Sequence, residues 1–282
     1  MDNRLQSSTI AVIVHVFYLQ IWKELAACIR NVIDLSSKAD IFITISESCD
    51  KRLELLVRRD FPFADIKRLP NRGFDVGPFF EVLNRINLDE YDYVIKLHTK
   101  RNCFGIVNFW PFFAGQWRRN LLGFCKTRKR LIRTLEILAD NQDVGMVGAG
   151  LLALKSENEL VGKYSMRGGD YMAAVSSESD NRCFIAGTMF IVRARLLQSL
   201  KQRYVFEDFD YIQPGCHDVS NAHGAEREFG HEIYNQGYEI GFYPKMPMLL
   251  ASTMNIRRAL YGFLCSIFRY CSKLHMRVRC SE

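Results

Sequence analysis

Short apolar runs alternate with segments of helical spacing in the first part of the chain, and this alternation limits the fold more than any other feature. Residues 10–16 form a run rich in β-branched side chains, typical of a buried strand, and residues 19–35 place apolar side chains at helical spacing. Residues 41–45 and 66–69 predict two further strands, with a helix between them at residues 49–59. Alternation of this kind predicts a mainly parallel sheet flanked by helices.

The same pattern continues in the second part of the chain. Residues 79–86 predict a helix, and residues 91–97 have the apolar composition of a central strand. Residues 117–138 predict one long basic helix, and residues 144–147 and 184–193 predict two more strands. We therefore expect a doubly wound α/β fold.

Length and composition bear on the number of domains. A chain of 282 residues with 48% hydrophobic side chains can bury the core of one large α/β domain. We see no internal repeat and no proline-rich linker that would divide it. Residues 255–282 differ from the rest because they contain six Lys or Arg and only one acid, interspersed with apolar side chains. We predict one domain over residues 1–254 and a basic amphipathic tail over residues 255–282.

Charge and cysteine content narrow the class of partner and the compartment. The net charge of +7 favours anionic partners such as nucleotide phosphates, lipid headgroups or nucleic acid. Nine cysteines occur without a Cys-x-x-Cys pair, so a zinc cluster is not expected, and so many thiols favour a reducing compartment. The start of the chain lacks the features of a signal peptide, and no apolar stretch is long enough to span a bilayer. We expect a cytoplasmic protein.

The loop at residues 70–78 is the first candidate for a ligand site, because it joins a predicted strand to a predicted helix. Open α/β sheets bind ligands at such turns. Gly73 and Gly77 would let the backbone approach a ligand, Asp75 would accept hydrogen bonds from sugar hydroxyls, and Arg72 would meet a phosphate. The pattern equally allows Asp75 to cap the following helix, and both interpretations stay open.

A second candidate follows the predicted strand at residues 91–97, which runs directly into His98, Lys100 and Arg101. Carboxyl ends of parallel strands meet at one edge of the sheet, so this cluster is expected beside the loop at residues 70–78. Lys100, Arg101 and a protonated His98 would neutralise a diphosphate leaving group. Alternatively, the two basic residues only solvate the end of the strand.

Two stretches carry a family resemblance. Residues 71–80 (NRGFDVGPFF) and 91–100 (YDYVIKLHTK) together resemble the signature of the rhamnan synthesis F family of bacterial polysaccharide glycosyltransferases. Residues 115–119, 184–190 and 223–230 extend the resemblance, which covers nearly all of the chain up to about residue 250. It implies a nucleotide-sugar-binding GT-A fold. It also implies transfer of a sugar, with rhamnose as the candidate, from a nucleoside-diphosphate donor to a growing cell-surface polysaccharide or lipid-linked glycan, such as lipopolysaccharide O-antigen.

The resemblance also implies roles for particular residues. Glu226 becomes the carboxylate that removes the proton of the acceptor hydroxyl in an inverting, hexosyltransferase-type reaction. His223 and Arg227 become acceptor contacts. The implied donor contacts are Asn71, Arg72, Gly73, Asp75, His98 and Lys100.

The helix that carries Glu226 holds a second acid, Glu228. Residues two apart on a helix do not share a face, so only one of the two is expected in the cleft. The alternative is that Glu226 and Arg227 are ordinary charges on a helix surface.

Metal use is a point where this sequence departs from many enzymes of that fold. An Asp-x-Asp motif commonly holds a divalent cation at the end of such a strand, whereas this chain has His98, Thr99 and Lys100 there. His and Lys do not replace hard carboxylate ligands. We expect no cofactor and charge neutralisation by basic residues, while a divalent metal remains the alternative.

Basic segments suggest where the protein works. Residues 117–133 carry seven Lys or Arg and no acid, and together with the tail they would hold the chain against anionic lipids, where lipid-linked acceptors reside. This predicts peripheral association with the inner face of the plasma membrane. Nucleic acid is not an expected partner, because the sequence carries no recognised nucleic-acid motif. A non-catalytic glycan-binding or scaffold subunit is the competing interpretation.

Overall fold

The strands of the protein, seen in a computed structural model, form one large sheet and a small ribbon. The structure describes residues 7–100, 116–150, 153–155, 182–212 and 221–244, and all of these except residues 116–118 belong to one compact unit. Arg101 and the predicted tail at residues 255–282 lie outside the described residues. In these ranges the strands are β1 (Thr9–Val16), β2 (Lys38–Ser46), β3 (Asp65–Leu69), β4 (Tyr93–His98), β5 (Val144–Gly148), β6 (Ala153–Lys155), β7 (Cys183–Ile185), β8 (Phe190–Arg193) and β9 (Glu239–Phe242).

The large sheet has seven strands in the order β3-β2-β1-β4-β8-β5-β9. The first four strands in this order are mutually parallel, and β5 and β9 are parallel to each other. β8 runs antiparallel to both of its neighbours, β4 and β5. The ribbon pairs β6 with β7 antiparallel. The predicted mainly parallel α/β architecture is confirmed, with one antiparallel strand in the middle of the sheet.

Helices cover the sheet. They are α1 (Trp22–Ile33), α2 (Lys51–Asp60), α3 (Val76–Arg85), α4 (Gln116–Leu121), α5 (Arg128–Asp140) and α6 (Asn221–Asn235), and short 3₁₀ turns occupy Leu19–Ile21, Leu88–Glu90, Leu122–Phe124, Ala194–Leu200 and Phe206–Asp208. Side-chain caps begin two of the helices. Asp50 accepts a hydrogen bond from the amide of Arg52 at 2.8 Å at the start of α2, and Thr127 accepts one from Arg130 at 3.3 Å at the start of α5. In the part of the chain that the structure describes, no helix has the length and apolarity to cross a membrane.

Two predicted elements are wrong in their extent. Residues 117–138 do not form one helix, because α4 ends at Leu121 and the Thr127 cap starts a new helix after a 3₁₀ turn. Residues 184–193 do not form one strand either. A turn at residues 186–189 separates β7, which belongs to the ribbon, from β8, which belongs to the large sheet.

An aromatic cluster fastens α3 and α6 to one face of the sheet. The ring of Phe229 on α6 lies 5.4 Å from Phe79 and 5.7 Å from Phe80, both on α3, and 5.4 Å from Phe190 on β8. Such pairs add to the stabilisation from burial alone. This packing holds the amino-terminal turn of α3 and the first turns of α6 near the carboxyl ends of β1 and β4.

The strand order reverses at β1. The chain runs outward from β1 through β2 to β3 and then returns to place β4 on the other side of β1. Open α/β sheets bind ligands at the carboxyl ends of the strands that flank such a reversal. The carboxyl edge of β1 and β4 is therefore the place to look for a functional site.

Candidate active site

Polar side chains gather at this carboxyl edge. In the strand register, His15 of β1 lies between Thr44 of β2 and His98 of β4. All three are buried, and so is Lys96 of β4. Buried polar groups need hydrogen-bond partners, so their contacts define how the edge is built.

Lys96 is a charged side chain inside the protein, with only 1% of its surface exposed. Its ammonium group donates hydrogen bonds to Asp75 Oδ2 and, at 2.8 Å, to Thr188 Oγ1. The Thr188 hydroxyl donates in turn to Asp75 Oδ2. Burial lowers the pKa of Lys96, while the Asp75 carboxylate opposes that shift. The two groups form a buried ion pair that the Thr188 hydroxyl completes.

Asp75 has a carboxylate that is largely buried and paired. Burial by itself raises the pKa of this carboxyl, but the positive charges that His98, Lys96 and Lys100 can carry outweigh it and hold the pKa well below its usual range. The side chain does not cap α3, although Asp75 directly precedes that helix. The helix-cap interpretation is therefore wrong, and the carboxylate faces Lys96 and Thr188 instead.

His98 is a neutral ring at neutral pH. Burial lowers its pKa to about 4, against the opposing effect of Asp75. Its Nε2 lies 2.7 Å from the carbonyl oxygen of Gly187, so we assign the ring proton to Nε2, and its Nδ1 lies 3.6 Å from Asp75 Oδ1. A protonated His98 that neutralises a diphosphate is therefore a wrong prediction at neutral pH, since the ring is buried beside Lys96.

His15 is the second neutral ring of the edge. Burial lowers its pKa to about 3. Its Nδ1 lies 3.0 Å from Thr44 Oγ1, and the Thr44 hydroxyl donates to the carbonyl of Val14 at 3.3 Å. The ring therefore donates from Nδ1 to Thr44.

A strained turn connects β7 to β8 at this edge. Gly187 and Thr188 both have left-handed backbones, with φ of 88° and 50°. The left-handed region is ordinary for glycine but unfavourable for a β-branched residue. The amide of Gly187 donates a hydrogen bond to Glu226 Oε1 at 2.6 Å, while its carbonyl oxygen accepts a hydrogen bond from His98 Nε2. This turn thus joins β4 to α6.

Glu226 and Glu228 of α6 have different partners. Glu226 contacts the Gly187 turn, whereas Glu228 is buried and forms an ion pair with Arg203. This agrees with the expectation that only one of them faces the cleft. Within the described part of the chain, the second oxygen of Glu226 accepts no hydrogen bond.

His223 lies one helical turn before Glu226. Its ring contacts the edge of Phe74 with a centroid distance of 5.7 Å. Burial lowers the pKa of His223, and the Glu226 carboxylate opposes the shift. Arg227 donates to the carbonyl of His223 at 2.6 Å, and its guanidinium lies 5.3 Å from the ring centroid of Phe184.

Three of the expected donor contacts bind the protein itself. The Asn71 side chain donates to the carbonyl of Ile212 at 3.5 Å, and Arg72 donates to that of Glu207 at 3.0 Å. A Cβ atom at Gly73 would lie 2.7 Å from the Phe209 side chain. In the described residues this space is therefore filled by Phe209, and the glycine does not serve to admit a ligand there.

Lys100 lies two residues beyond the end of β4. It is half-buried, and its charge acts on Asp75, His98 and His223. The structure thus brings Asp75, His98, Lys100, His223 and Glu226 together around the carboxyl end of β4. It directs Asn71 and Arg72 to the segment at residues 207–212.

Sequence reasoning missed Lys96 and Thr188. A lysine flanked on both sides by the apolar residues of a central strand was the available signal, since such a side chain must find a buried partner. Thr188 carried no comparable local signal. Its role depends on contacts across more than ninety positions of sequence, as the separation of 92 between Lys96 and Thr188 shows.

Among the described residues, the groups at this edge do not suit a hard divalent cation. Asp75 already faces an ammonium and a hydroxyl group, and the other groups nearby are imidazoles, Lys100 and Glu226. Magnesium and manganese prefer several oxygen ligands. Across residues 7–100, 116–150, 153–155, 182–212 and 221–244, no three His, Cys, Asp or Glu side chains gather into a metal-binding group.

The mainly parallel sheet, with its reversal of strand order at β1, places the chain among the doubly wound α/β proteins. The particular family follows from its sequence. The family described as Rhamnan synthesis protein F matches residues 1–168, and the chain belongs to it. The family resemblance found in the sequence is thereby confirmed over residues 1–168, whereas residues 184–190 and 223–230 lie outside this match.

Individual relatives are distant. The chain is 24% identical over 243 residues to the uncharacterized protein WxcX of two strains of Xanthomonas campestris pv. campestris. The aligned region covers 83% of this chain and 32% of the relative. The chain thus spans about a third of the length of these curated relatives.

Similar solved structures include two transferases. A mannosyltransferase of Pyrobaculum calidifontis in complex with GDP-Man and Mn²⁺ shows 15% identity and a TM-score of 0.43, over 84% of this chain and 55% of that one. Glucosyl-3-phosphoglycerate synthase of Mycobacterium tuberculosis, in complex with Mn²⁺, UDP and phosphoglyceric acid, shows 11% identity and a TM-score of 0.43, over 88% and 74%.

Proposed function

We propose that this chain is a glycosyltransferase domain. It transfers a hexosyl group, with rhamnose as the first candidate, from a nucleoside-diphosphate donor to a growing cell-surface polysaccharide or lipid-linked glycan. One observation carries the proposal: Lys100 and Glu226 lie around the same carboxyl end of β4, at the reversal point of the sheet, where both act on the charge of His223. Membership of the rhamnan synthesis family supports the substrate class.

The proposed chemistry assigns opposite tasks to these two charges. A hydroxyl oxygen of the acceptor attacks the anomeric carbon of the donor and forms the new glycosidic bond, while Glu226 takes the hydroxyl proton. The bond from the anomeric carbon to the diphosphate breaks, and the diphosphate leaves with the electron pair toward Lys100. Attack opposite the leaving group inverts the configuration.

Neutral groups at the edge have a different task. His98 is uncharged and holds the Gly187 carbonyl, so it contributes hydrogen bonding and not charge. Lys100, with Arg101 of the adjoining sequence, therefore supplies the positive charge for the diphosphate. Because the described groups do not suit Mg²⁺ or Mn²⁺, we propose that this charge neutralisation needs no metal.

Acceptor binding is proposed for the surface beside Glu226. The rings of Phe74 and His223 contact each other there, and Arg227 holds the backbone of His223. One helical turn separates His223 from Glu226, so a sugar ring placed on Phe74 would have a hydroxyl near the base.

The setting of the reaction is also a proposal. Basic side chains of residues 117–133, with the tail, would hold the protein at the inner face of the plasma membrane, where a lipid-linked acceptor is available. The protein is expected to sediment with anionic vesicles in low salt, and less of it in high salt, which screens the basic side chains. Absence of sedimentation in low salt would contradict this setting.

Donor binding tests the function directly. UDP-, GDP- and dTDP-sugars are titrated by calorimetry, with and without Mn²⁺, into the wild type, Lys100→Ala and a matched control, Lys126→Ala. One nucleotide sugar is expected to bind the wild type without a metal. We expect about tenfold weaker binding to Lys100→Ala, the size of one lost charge-assisted contact, and wild-type binding to Lys126→Ala.

Turnover tests the assignment of the base. Glu226→Gln is expected to bind the donor normally and to lose about a hundredfold or more in turnover, while Glu239→Gln on the exposed end of β9 behaves as wild type. Failure of every nucleotide sugar to bind would contradict the transferase and favour the scaffold subunit.

A further inference from the structure

The buried pair of Lys96 and Asp75 is expensive to keep for stability alone. Two charges withdrawn from water lose hydration that their attraction recovers only with good geometry and further hydrogen bonds, and apolar replacements of such pairs are often as stable. The central strand β4 is otherwise apolar from Tyr93 to Leu97. What the pair holds in place therefore needs an explanation.

The pair holds Thr188 in an unfavourable backbone conformation. Thr188 is buried and has a φ of 50°, which a β-branched residue rarely adopts. Its hydroxyl accepts from Lys96 and donates to Asp75, so the side chain is fixed from two directions. The surrounding contacts thereby impose the left-handed turn.

The neighbouring residue, Gly187, presents both of its backbone groups to the site. Its amide binds Glu226 Oε1 at 2.6 Å, and its carbonyl binds His98 Nε2 at 2.7 Å. A rotation of the turn would change the position of both. The contacts therefore run without interruption from the Lys96–Asp75 pair through Thr188 and Gly187 to Glu226.

We infer that Lys96, Asp75 and Thr188 are positioning residues that set the orientation of the Gly187 amide and, through it, of the Glu226 carboxylate. The effect on catalysis rests on the proposed function. The orientation of Gly187 and Glu226 by this cluster does not depend on that function. The inference changes the role of Asp75, which the family resemblance suggests as a donor contact. Asp75 acts here through the turn and not on the donor.

The test removes one hydroxyl and keeps the shape. Thr188→Val retains the β-branch and loses both hydrogen bonds, whereas Thr188→Ser retains the hydroxyl. The matched control is Thr134→Val on α5, which removes another buried hydroxyl. The oxygen of that hydroxyl lies 2.9 Å from the backbone carbonyl oxygens of Phe124 and Arg130, and it donates its proton to one of them. All variants are made in the full chain and compared well below their melting temperatures.

The first readout is the amide resonance of Gly187, which does not depend on activity. Selective labelling of alanine carbonyl carbon and glycine nitrogen restricts the candidates to three Ala–Gly pairs in the sequence. A short hydrogen bond to a carboxylate moves an amide proton downfield. We expect an upfield shift in Thr188→Val that resembles the shift in Glu226→Gln, and wild-type positions in Thr188→Ser and Thr134→Val.

The second readout separates turnover from binding. Thr188→Val is expected to lower kcat about tenfold with an unchanged donor affinity by calorimetry, corresponding to one weakened transition-state interaction. Thr188→Ser restores kcat to near the wild-type value, and Thr134→Val loses stability without a change in kcat. If Thr188→Val instead lowers the donor affinity and leaves kcat unchanged, the cluster of Lys96, Asp75 and Thr188 contacts the donor, and the inference is overturned.

The two proposals fail in different ways. A wild type that binds no nucleotide sugar, while the Gly187 resonance still moves in Thr188→Val, defeats the proposed function and leaves the positioning of the turn supported. A wild type with transferase activity, whose Gly187 resonance and kcat are both unchanged in Thr188→Val, defeats the positioning inference alone.

Discussion

Phe74 is held in a conformation that its own chemistry disfavours. Its φ is 56°, a left-handed value that costs a bulky residue about 1–2 kcal/mol. The residue is nevertheless 37% exposed, so burial does not account for an aromatic side chain in this conformation. Its contact with His223, beside Glu226, gives a reason to keep an aromatic side chain at this point.

Loss of that ring is expected to weaken acceptor binding. Phe74→Leu is expected to raise KM for the acceptor glycan about tenfold, the effect of roughly 1.4 kcal/mol of lost contact, with little change in kcat at saturating acceptor. The donor affinity stays unchanged. Phe63→Leu, which alters an aromatic ring that is 61% exposed elsewhere on the surface, serves as the control. Equal KM values for the two variants would exclude Phe74 from the acceptor site.

At the scale of single residues, the sequence indicated where charges would gather but not what they would contact. His98 and Lys100 were placed correctly because they directly follow a strand of clear composition. The charge state of His98 was not predicted correctly, because it depends on burial and on the proximity of Lys96, and both are results of packing. The contacts of Arg72 with Glu207 join positions separated by 135 residues, and no local pattern contains that information.

At the scale of elements, the approach of α6 to β7 determines where Glu226 lies. Gly230 allows this approach, because a Cβ atom there would come within 2.5 Å of the Cys183 carbonyl oxygen and 2.9 Å of Phe184 Cα. Both are backbone atoms of β7. The clash therefore cannot be relieved by moving a flexible side chain. The same helix carries Gly224, at which a Cβ atom would have no neighbour within 4 Å among the described residues.

These two glycines give predictions of opposite sign. Alanine is favoured over glycine inside a helix by about 1 kcal/mol, so Gly224→Ala is expected to raise the free energy of unfolding by up to roughly that amount. Gly230→Ala gains the same propensity but must displace α6 from β7, and we expect a net loss of about 1–3 kcal/mol, the usual cost of overpacking. Urea unfolding followed by circular dichroism measures both.

The two glycine variants are also expected to differ in catalytic activity. Because Gly230→Ala would move α6 relative to β7, it is expected to lower kcat as well, while Gly224→Ala leaves the position of the helix unchanged. A stable Gly230→Ala variant would show that the helix and the ribbon are not packed as closely as the structure has them.

Element prediction failed where a turn was hidden in apolar sequence. Residues 184–193 are apolar almost throughout, so they resemble a single strand, although Gly187 and Thr188 break it with left-handed backbones. A lone glycine inside a strand pattern is the signal that was present. That break is also the turn whose Gly187 amide binds Glu226.

At the scale of the whole molecule, the alternation of strands and helices predicted the class of fold because each element carries its own periodicity. The position of β8 could not be predicted in the same way. Its insertion between β4 and β5 depends on pairing between strands far apart in sequence, with Tyr93 opposite Arg193. The reversal of strand order that locates the site is likewise a property of the assembled sheet.

Burial of neutral imidazoles makes the stability of the whole molecule depend on pH. The pKa values of about 3 for His15 and about 4 for His98 lie below the value near 6.5 expected in the unfolded chain. Between these values the unfolded chain binds protons that the folded chain does not. The free energy of unfolding therefore falls as pH decreases from about 7 toward 4.

The size of this effect can be isolated from that of the acids. His98 alone is expected to contribute a loss of roughly 2 kcal/mol between about pH 7 and pH 4.5. The lowered pKa of Asp75 begins to affect stability only below about pH 5, where the unfolded carboxyl starts to bind protons, so most of this window reports histidines. His223 and His231, whose pKa values burial also lowers, add to the same slope.

The measurement is the urea midpoint across this window in the wild type and in the double variant His15→Asn and His98→Gln. These amides keep a donor near the original ring nitrogen and cannot be protonated. We expect the double variant to lose several kcal/mol less than the wild type on acidification, with a residual slope from His223 and His231. An equal loss in both proteins would mean that the two rings titrate in the folded protein near their unfolded value of about 6.5, so that burial does not keep them neutral through this window.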